Sequence, residues 1–264
     1  MDATGRLRDR VAVITGAGGG IGRAMALAFA AEGARLVLGD LGDSVEATAE
    51  AVRQAGARAA AVRGDVGRTA DMVALAERAV GEFGALDILV TCAGLGDSGL
   101  LVEQEEAAWT RVVDVNLLGT YRAIRAALPA MMRRRSGRII TIASAFGKTG
   151  GSGFITAYAA SKHGVIGLTR ALAAELGSHG YPEITVNAIC PGYVRAGMGV
   201  KLQATKAGPM PGEEIFERYY KRLVPLRRMI EAEEIARVAV FLALPESAAI
   251  TGQALNVDGG FVMS

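Results

Sequence analysis

Three side chains near the middle of the sequence, Ser144, Tyr158 and Lys162, are of the types that exchange protons with an alcohol or ketone oxygen. Tyr158 and Lys162 stand four residues apart in a segment whose pattern predicts a helix, so they project from the same face about one turn apart. A phenol ordinarily titrates at about 10, and a neighbouring ammonium lowers that pKa by favouring the phenolate. The three residue types therefore indicate general acid–base chemistry at one oxygen atom.

A Tyr-x-x-x-Lys pattern is short enough to arise by chance, so the prediction depends on the elements that position it. Strand-like apolar runs alternate with longer helical patterns along the whole chain. This alternation predicts one α/β domain over residues 1–264: a Rossmann-type, doubly wound parallel sheet of about seven strands with helices on both faces. The predicted strands are residues 11–15, 36–39, 58–62, 86–91, 138–143, 184–189 and 254–257. The predicted helices are residues 21–31, 43–54, 69–83, about 105–134, 156–176 and 232–244.

Residues 193–224 interrupt the alternation with several glycines and prolines. A connection of this length is usually functional or disordered, and we interpret it as a lid over a substrate pocket before the last helix; the alternative is a mobile insertion. The residues predicted to line the pocket are mostly apolar, which favours a cyclic, aromatic or acyl-chain ketone over a polyol. They are Leu95, Phe146, Phe154, Ile155, Tyr193, Met198 and Leu202.

A glycine-rich segment, Thr-Gly-Ala-Gly-Gly-Gly-Ile-Gly, joins the first predicted strand to the first predicted helix at residues 15–22. Glycines there permit a tight turn, let the backbone approach a pyrophosphate and aim helix N–H groups at it. Asp40 ends the second strand, where a carboxylate accepts hydrogen bonds from the ribose hydroxyls and repels a 2′-phosphate. No Arg or Lys stands at position 18 or 19 to hold such a phosphate, so NAD is favoured over NADP.

The remaining candidate residues also follow predicted strands. Asp65 and Val66 follow the third strand, Ala93 and Gly94 the fourth, Ser144 the fifth, and Pro191 and Gly192 the sixth. The carboxyl ends of parallel strands meet at one edge of the sheet, which is where open α/β sheets bind ligands.

With these motifs in order, the chain resembles the classical short-chain dehydrogenases/reductases over essentially its whole length. The resemblance implies that Tyr158 exchanges a proton with the substrate oxygen, while Ser144 hydrogen-bonds to and polarises it. It also implies that Lys162 binds the nicotinamide ribose and that Asn116 holds a water linking Lys162 to solvent. The implied reaction is hydride transfer between NAD(H) and a secondary alcohol/ketone pair, in a homotetramer. The cofactor-binding residues are then Gly16, Gly19, Gly20, Ile21, Gly22, Asp40, Asp65, Val66, Ala93, Gly94, Tyr158, Lys162, Pro191, Gly192 and Val194.

Two further functions stay open at this point. An NADPH-dependent reductase of 3-oxoacyl thioesters, carried by coenzyme A or a carrier protein, or a polyketide ketoreductase, would share these motifs, although Asp40 argues against NADPH. A dinucleotide-binding sensor without turnover would lack Ser144, Tyr158 or Lys162. The chain departs from the family pattern at Cys92, in place of an asparagine, and at Ala196, in place of a threonine.

Composition argues against several other classes. The net charge of +2 is too small for a polyanion binder, and no apolar run approaches the roughly 18 residues of a membrane span. The two cysteines are far apart, with neither metal-ligand spacing nor a disulfide framework. We therefore expect a soluble, cytoplasmic enzyme that binds no metal, nucleic acid or membrane, with a carrier protein as the less favoured partner.

Overall fold

The computed structural model describes residues 5–96, 98–151, 153–203 and 208–263, without the side chains of Leu202 and Gln203. Seven parallel strands of this described chain form one sheet, which confirms the predicted fold. They are β1 (Val11–Thr15), β2 (Arg35–Asp40), β3 (Ala59–Arg63), β4 (Ile88–Thr91), β5 (Gly137–Ile142), β6 (Ile184–Pro191) and, last in the chain, β9 (Ala254–Val257).

The strand order across the sheet is β3-β2-β1-β4-β5-β6-β9. Strands β1, β2 and β3 thus extend the sheet in one direction, and β4, β5, β6 and β9 extend it in the other. A crevice forms beyond the carboxyl ends of the two strands where this direction reverses, and open α/β sheets bind ligands there.

Helices cover both faces of the sheet. They are α1 (Gly20–Ala31), α2 (Ser44–Gln54), α3 (Thr69–Phe83), α4 (Glu106–Val113), α5 (Gly119–Arg134), α6 (Thr156–Ser178), α7 (Gly212–Ile215) and α8 (Ala232–Ala243). Alternate residues of each strand pack in opposite directions. On β1, Ala12 and Ile14 join the core beneath α1, α2 and α8, whereas Val11 and Val13 join the core beneath α3, α5 and α6.

The long helix predicted for residues 105–134 is wrong in one respect, because a π-helical turn at Asp114–Leu118 divides it into α4 and α5. A π-turn inserts one extra residue per turn, and such turns often occur at functional sites. Here the insertion places Asn116 with no solvent exposure at the centre of the turn.

The segment before α8, predicted as irregular, contains regular structure. Strands β7 (Leu202–Gln203) and β8 (Met210–Pro211) form a separate antiparallel pair, and α7 continues into a second π-helical turn at Phe216–Tyr220. These elements have their own small apolar core, in which Phe216 and Tyr220 are buried. The described parts of this segment, residues 193–203 and 208–224, therefore fold against the body of the protein.

The part of the chain that the structure describes lacks the hallmarks of two other protein classes. Of its helices, none combines the length and the apolar character needed to cross a bilayer. The same residues contain no group of three or more His, Cys, Asp or Glu side chains that could hold a metal ion.

Candidate active site

The glycine-rich loop turns tightly from β1 into α1 at the crevice. Gly16 has φ of +69°, and a methyl group on it would lie 2.6 Å from the Ala93 backbone nitrogen. A methyl group on Gly22 would lie 2.0 Å from the Gly16 carbonyl oxygen. Glycine is thus required at both positions, because the loop packs tightly on itself and on the end of β4.

The same loop leaves room for a ligand at the start of α1. Apart from Gly19 and its two chain neighbours, no described residue has an atom within 4 Å of a methyl group built on Gly19, the residue that caps α1. Gly19 has no side chain to cap the helix, so the first N–H groups of α1, from Gly20, Ile21 and Gly22, are not covered from that position. Free N–H groups and the positive end of the helix dipole bind phosphate, so the loop fits the pyrophosphate of a dinucleotide.

Asp40 lies against this loop at the end of β2. Its carboxylate accepts hydrogen bonds from the backbone N–H groups of Gly18, at 2.9 Å, and Gly42, at 3.0 Å. A methyl group on Gly18 would lie 2.4 Å from the Ser44 hydroxyl oxygen and 2.9 Å from the Asp40 carboxylate. Each carboxylate oxygen has a further lone pair, so Asp40 can also accept hydrogen bonds from a bound molecule.

Lys162 reaches the carboxyl end of β5 from α6. Its side chain is 4% exposed, and its Nζ donates a hydrogen bond to the Ile142 carbonyl oxygen at 2.8 Å. The same Nζ lies 5.7 Å from the centroid of the Tyr158 ring. Burial lowers the pKa of Lys162 from its ordinary 10.5 to about 8, since desolvation disfavours the ammonium.

Asn116 connects the π-turn to α6 and to the loop after β4. Its Nδ2 donates to the Leu95 carbonyl oxygen at 2.9 Å and to the Ser161 hydroxyl at 3.0 Å. Its Oδ1 accepts the Leu95 N–H at 2.7 Å. Ser161 in turn donates to the Tyr158 carbonyl oxygen at 2.7 Å, so one chain of hydrogen bonds joins these three elements.

Ser144 follows β5 at the same edge and is 5% exposed. Its Oγ accepts the Phe146 N–H at 3.1 Å, at the start of a short 3₁₀ turn, Ala145–Gly147. This turn packs on α6, because a methyl group on Gly147 would lie 2.8 Å from the Lys162 carbonyl oxygen. The structure thus brings Ser144, Tyr158, Lys162 and Asn116 together around the ends of β4 and β5.

Two predicted cofactor residues follow β3. The Asp65 carboxylate accepts the Gly67 N–H at 2.8 Å. Val66 is buried and packs on Gly119 at the start of α5, where a methyl group would lie 2.7 Å from Val66 Cγ2. Both residues shape the loop from β3 to α3.

The other predicted cofactor residues lie along the same edge of the sheet. A methyl group on Gly94 would lie 3.2 Å from Asn116 Oδ1 and 3.7 Å from Lys162 Nζ. Pro191 ends β6 opposite Val257. The Gly192 N–H donates to the Val257 carbonyl oxygen at 3.2 Å, and Val194 forms a bridge with Ile230.

Two of the residues predicted to line the pocket belong to an aromatic cluster formed by Phe146, Tyr193, Phe216, Tyr220 and Phe261. The Tyr193 ring lies 4.4 Å from that of Tyr220 and 5.9 Å, edge to face, from that of Phe146. Tyr193 is 9% exposed, and burial raises the pKa of its phenol. Most of its surface is therefore used in anchoring residues 193–224.

The remaining predicted pocket residues surround the loop after β4. Leu95, Phe154 and Ile155 are half-buried, and the Phe154 carbonyl accepts the Gly99 N–H at 2.9 Å. Met198 is 38% exposed, with its sulfur 3.1 Å from where a methyl group on Gly96 would stand. The side chain of Leu202 lies outside the described residues.

Sequence reasoning missed Ser161 and three members of the aromatic cluster. Ser161 carried a local signal, because a serine three residues after Tyr158 in a helix can donate to its carbonyl oxygen. Phe216, Tyr220 and Phe261 carried none, since their partners lie on distant parts of the chain.

We expect Phe261→Ala to loosen the aromatic cluster. The Phe261 ring packs 5.8 Å from the rings of both Phe146 and Tyr220, so truncation should lower the free energy of unfolding by about 2 kcal/mol. Urea unfolding would measure this loss. The control is Met263→Ala, because Met263 lies two residues further on and is 83% exposed, so its substitution should change stability very little. Equal effects of the two substitutions would contradict the stabilising role of the Phe261 ring.

The two cysteines are free thiols. Burial raises the pKa of Cys92 to about 12 and also raises that of Cys190. A thiol at such a pKa is almost entirely protonated at neutral pH and is a poor nucleophile. Neither cysteine is therefore suited to nucleophilic chemistry.

Known proteins are similar to this chain both in sequence and in structure. A family model described as "Enoyl-(Acyl carrier protein) reductase" matches residues 16–262. The chain is 38% identical over 256 residues to oxidoreductase UcpA of Salmonella typhimurium, covering 97% of this chain and 95% of that protein. It is 37% identical over 254 residues to the 3-oxoacyl-[acyl-carrier-protein] reductase FabG of Staphylococcus aureus, covering 96% and 98% of the two chains.

Two solved structures are similar over nearly their whole lengths. Carveol dehydrogenase from Mycobacterium avium, in complex with NAD, has a TM-score of 0.90 and 30% identity, covering 98% of this chain and 99% of that one. A single-residue variant of actinorhodin polyketide ketoreductase with NADPH has a TM-score of 0.86 and 37% identity, covering 96% and 97%.

A doubly wound sheet with a glycine-rich loop at its crevice, beside a buried lysine and a tyrosine, is typical of a dinucleotide-dependent oxidoreductase. The chain belongs to the short-chain dehydrogenase/reductase family. It is an NAD(P)-dependent enzyme that acts on CH–OH or keto groups.

Proposed function

We propose that the enzyme transfers a hydride between NAD(H) and a secondary alcohol or ketone of mostly apolar character. The observation that carries this proposal is the buried Lys162 ammonium, held at the carboxyl end of β5 beside the Tyr158 ring and Ser144. A cation with a pKa of about 8 is still mostly charged at neutral pH, and it stabilises a neighbouring phenolate.

When bound, a nicotinamide dinucleotide would supply or accept the hydride. The Tyr158 hydroxyl donates its proton to the carbonyl oxygen in reduction and takes it back in oxidation. The Ser144 Oγ accepts the Phe146 N–H, and its own O–H donates to the substrate oxygen in this proposal. Lys162 holds the nicotinamide ribose and keeps the tyrosine acidic, and Asn116 fixes the loop and helix that surround them and holds a water leading from Lys162 to solvent.

Further cofactor contacts complete the proposal. The uncovered N–H groups of α1 bind the pyrophosphate, with Gly16 permitting the tight turn and Gly19 leaving room for the ligand. The strand-end segments 65–66, 93–94 and 191–194 surround the remainder of the dinucleotide. The Asp40 carboxylate binds the ribose hydroxyls of the adenosine, and its charge disfavours a 2′-phosphate.

We expect Asp40→Ala to reverse this preference in part. Loss of two charge-assisted hydrogen bonds should weaken NADH binding about tenfold, while NADPH binding should improve because a repulsive charge is gone. Titration of the reduced nicotinamide fluorescence would give both dissociation constants. Glu50→Ala, at an exposed acidic residue on α2, is the control; unchanged NADH binding in Asp40→Ala would contradict the assignment.

The proposed substrate class follows from the side chains around the loop after β4. Leu95, Phe154, Ile155 and Met198 are apolar and only partly buried, so they offer surface to an apolar ligand. We propose residues 193–224 as the lid over this pocket, with Tyr193 and Phe146 as its base. The likeness to a carveol dehydrogenase supports a cyclic ketone or alcohol.

The relationship to a 3-oxoacyl-carrier-protein reductase, at 37% identity, supports a second candidate, the reduction of 3-oxoacyl thioesters. An NADH and NADPH oxidation assay against cyclic ketones, aryl ketones, acetoacetyl and enoyl thioesters, and small sugars would separate the two. Faster turnover of a cyclic or aryl ketone with NADH supports our proposal. Preference for the acetoacetyl thioester with NADPH favours the second candidate, and turnover confined to enoyl thioesters or to sugars contradicts both.

We also propose a homotetrameric, cytoplasmic enzyme. Leu118 and Tyr121 are 42% and 44% exposed at the start of α5, where apolar side chains suit a contact between subunits. Light scattering coupled to size exclusion would measure the mass directly.

A further inference from the structure

A guanidinium stands beside the proposed ribose site, at the end of β3. Arg63 pairs with Asp40 in the parallel register of β2 and β3, and paired residues of neighbouring strands project from the same face of a sheet. The Arg63 Nε donates to the Leu41 carbonyl oxygen at 3.1 Å, and its Nη1 donates to the Asp43 carboxylate at 2.9 Å. Arg63 is thus held against the loop that leaves Asp40.

The Arg63–Asp43 pair is open to solvent, with side chains 69% and 85% exposed. Exposed ion pairs of this kind contribute little stability and break easily. Asp43 precedes α2, yet among the described contacts its side chain makes no capping hydrogen bond to that helix. Its observed partner is Arg63, which the Asp43 carboxylate keeps neutralised at the edge of the site.

We propose that Arg63 is a latent binding group for a 2′-phosphate and that Asp43 is a second determinant of NAD preference, acting by occupying Arg63. The inference rests on the proposed binding of a dinucleotide at the glycine loop. A guanidinium binds phosphate through two parallel N–H donors, and Arg63 lies on the same face and at the same edge as Asp40. Asp43 competes with the phosphate for those donors and adds a second negative charge near it.

This arrangement predicts an interaction between two residues rather than a simple charge effect. Removing the Asp43 charge frees the guanidinium only when Arg63 is present. If Asp43 acted by long-range repulsion alone, its removal would help NADPH equally with or without Arg63. A double-mutant cycle distinguishes these cases.

The experiment measures dissociation constants for NADH and NADPH, which differ only in the 2′-phosphate, by fluorescence titration of the intact protein. Four proteins are compared: wild type, Asp43→Asn, Arg63→Gln and the double variant. We expect Asp43→Asn to bind NADPH about tenfold more tightly than wild type and NADH within about twofold. In the Arg63→Gln background, we expect the same change to improve NADPH binding by less than about twofold.

The matched control is Glu46→Gln. Glu46 is also an exposed acid of this region, and it pairs with Arg53 at 2.7 Å. Arg53, however, donates to the Ala59 carbonyl at the start of β3, which is the end opposite Arg63. The Glu46→Gln substitution should therefore leave both dissociation constants unchanged. Raising the salt concentration should reduce the gain seen in Asp43→Asn, because the new contact is between exposed charges.

Each outcome has a definite meaning. If Asp43→Asn improves NADPH affinity equally in the wild-type and Arg63→Gln backgrounds, or in neither, the proposed role of Arg63 is overturned. The proposed function still stands in that case, provided that the wild type binds NADH. Failure of the wild type to bind either dinucleotide overturns the proposed function and this inference together. A gain confined to proteins that contain Arg63 supports it.

Discussion

Tyr158→Phe is expected to lower kcat by about 10²–10⁴-fold, the range that a lost general acid or base produces. The substitution removes one oxygen atom and keeps the ring that lies 5.7 Å from the Lys162 ammonium. The local packing should therefore be preserved, and the dissociation constant of NADH should stay within about twofold of wild type. Steady-state rates with the best ketone of the panel, together with fluorescence titration of NADH, would measure both.

The matched control is Tyr181→Phe, since Tyr181 is a partly exposed tyrosine whose ring faces Arg135, at 5.5 Å from its guanidinium carbon. That variant should turn over like wild type. Retained turnover in Tyr158→Phe would show that another group supplies the proton. Loss of NADH binding in the same variant would point instead to damage at the cofactor site.

Lys162→Met is expected to have two large effects, the first on catalysis. Without the buried ammonium the phenolate loses its stabilising charge, and we expect kcat to fall by about 10²–10⁴-fold. The optimum for oxidation of the alcohol should also move to higher pH. Lys221→Met is the control, because Lys221 is a half-exposed partner of Glu217 in the segment before α8. A normal pH profile in Lys162→Met would contradict the electrostatic role.

The second effect is on the pH dependence of stability without cofactor. The pKa of Lys162 is about 8 in the folded protein against an ordinary 10.5, so between these values the unfolded chain binds more protons than the folded one. Stability must then rise with pH over this window, by roughly 3 kcal/mol for this one group, and show no contribution to the slope well below pH 8.

Other groups titrate in the same window, so the comparison is between proteins. The free energy of unfolding of each protein is measured with urea at several pH values. The value for wild type should increase relative to that for Lys162→Met as the pH rises from about 8 to about 10.5. Lys221→Met should follow wild type across the same range. A constant difference between wild type and Lys162→Met would contradict the lowered pKa.

The sequence determined the fold and most of the candidate site because both depend on local patterns. Strand and helix periods repeat every two and every three to four residues, so seven strands and their connecting helices are visible without coordinates. The requirement for glycine at positions 16 and 22 is likewise local, since it comes from a turn of a few residues. The four-residue spacing of Tyr158 and Lys162 needs only a helix.

Tertiary structure decided what depends on contacts between distant segments. The Lys162 pKa results from burial against a strand 20 residues away, at the Ile142 carbonyl, and no short window of sequence encodes that desolvation. The π-turn at Asn116 is fixed by partners on the loop after β4 and on α6.

The same distinction between local patterns and long-range contacts applies to the cofactor site and to the aromatic cluster. The sequence predicted that Asp40 would favour NAD, but the pairing of β2 with β3 was needed to place Arg63 beside it. Apolar residues of the segment before α8 were recognisable as pocket candidates, whereas only the folded chain shows Tyr193 packed on Tyr220 and Phe146. Periodicity and turn chemistry act between neighbours in sequence, while burial, charge pairing and ring packing act between neighbours in space.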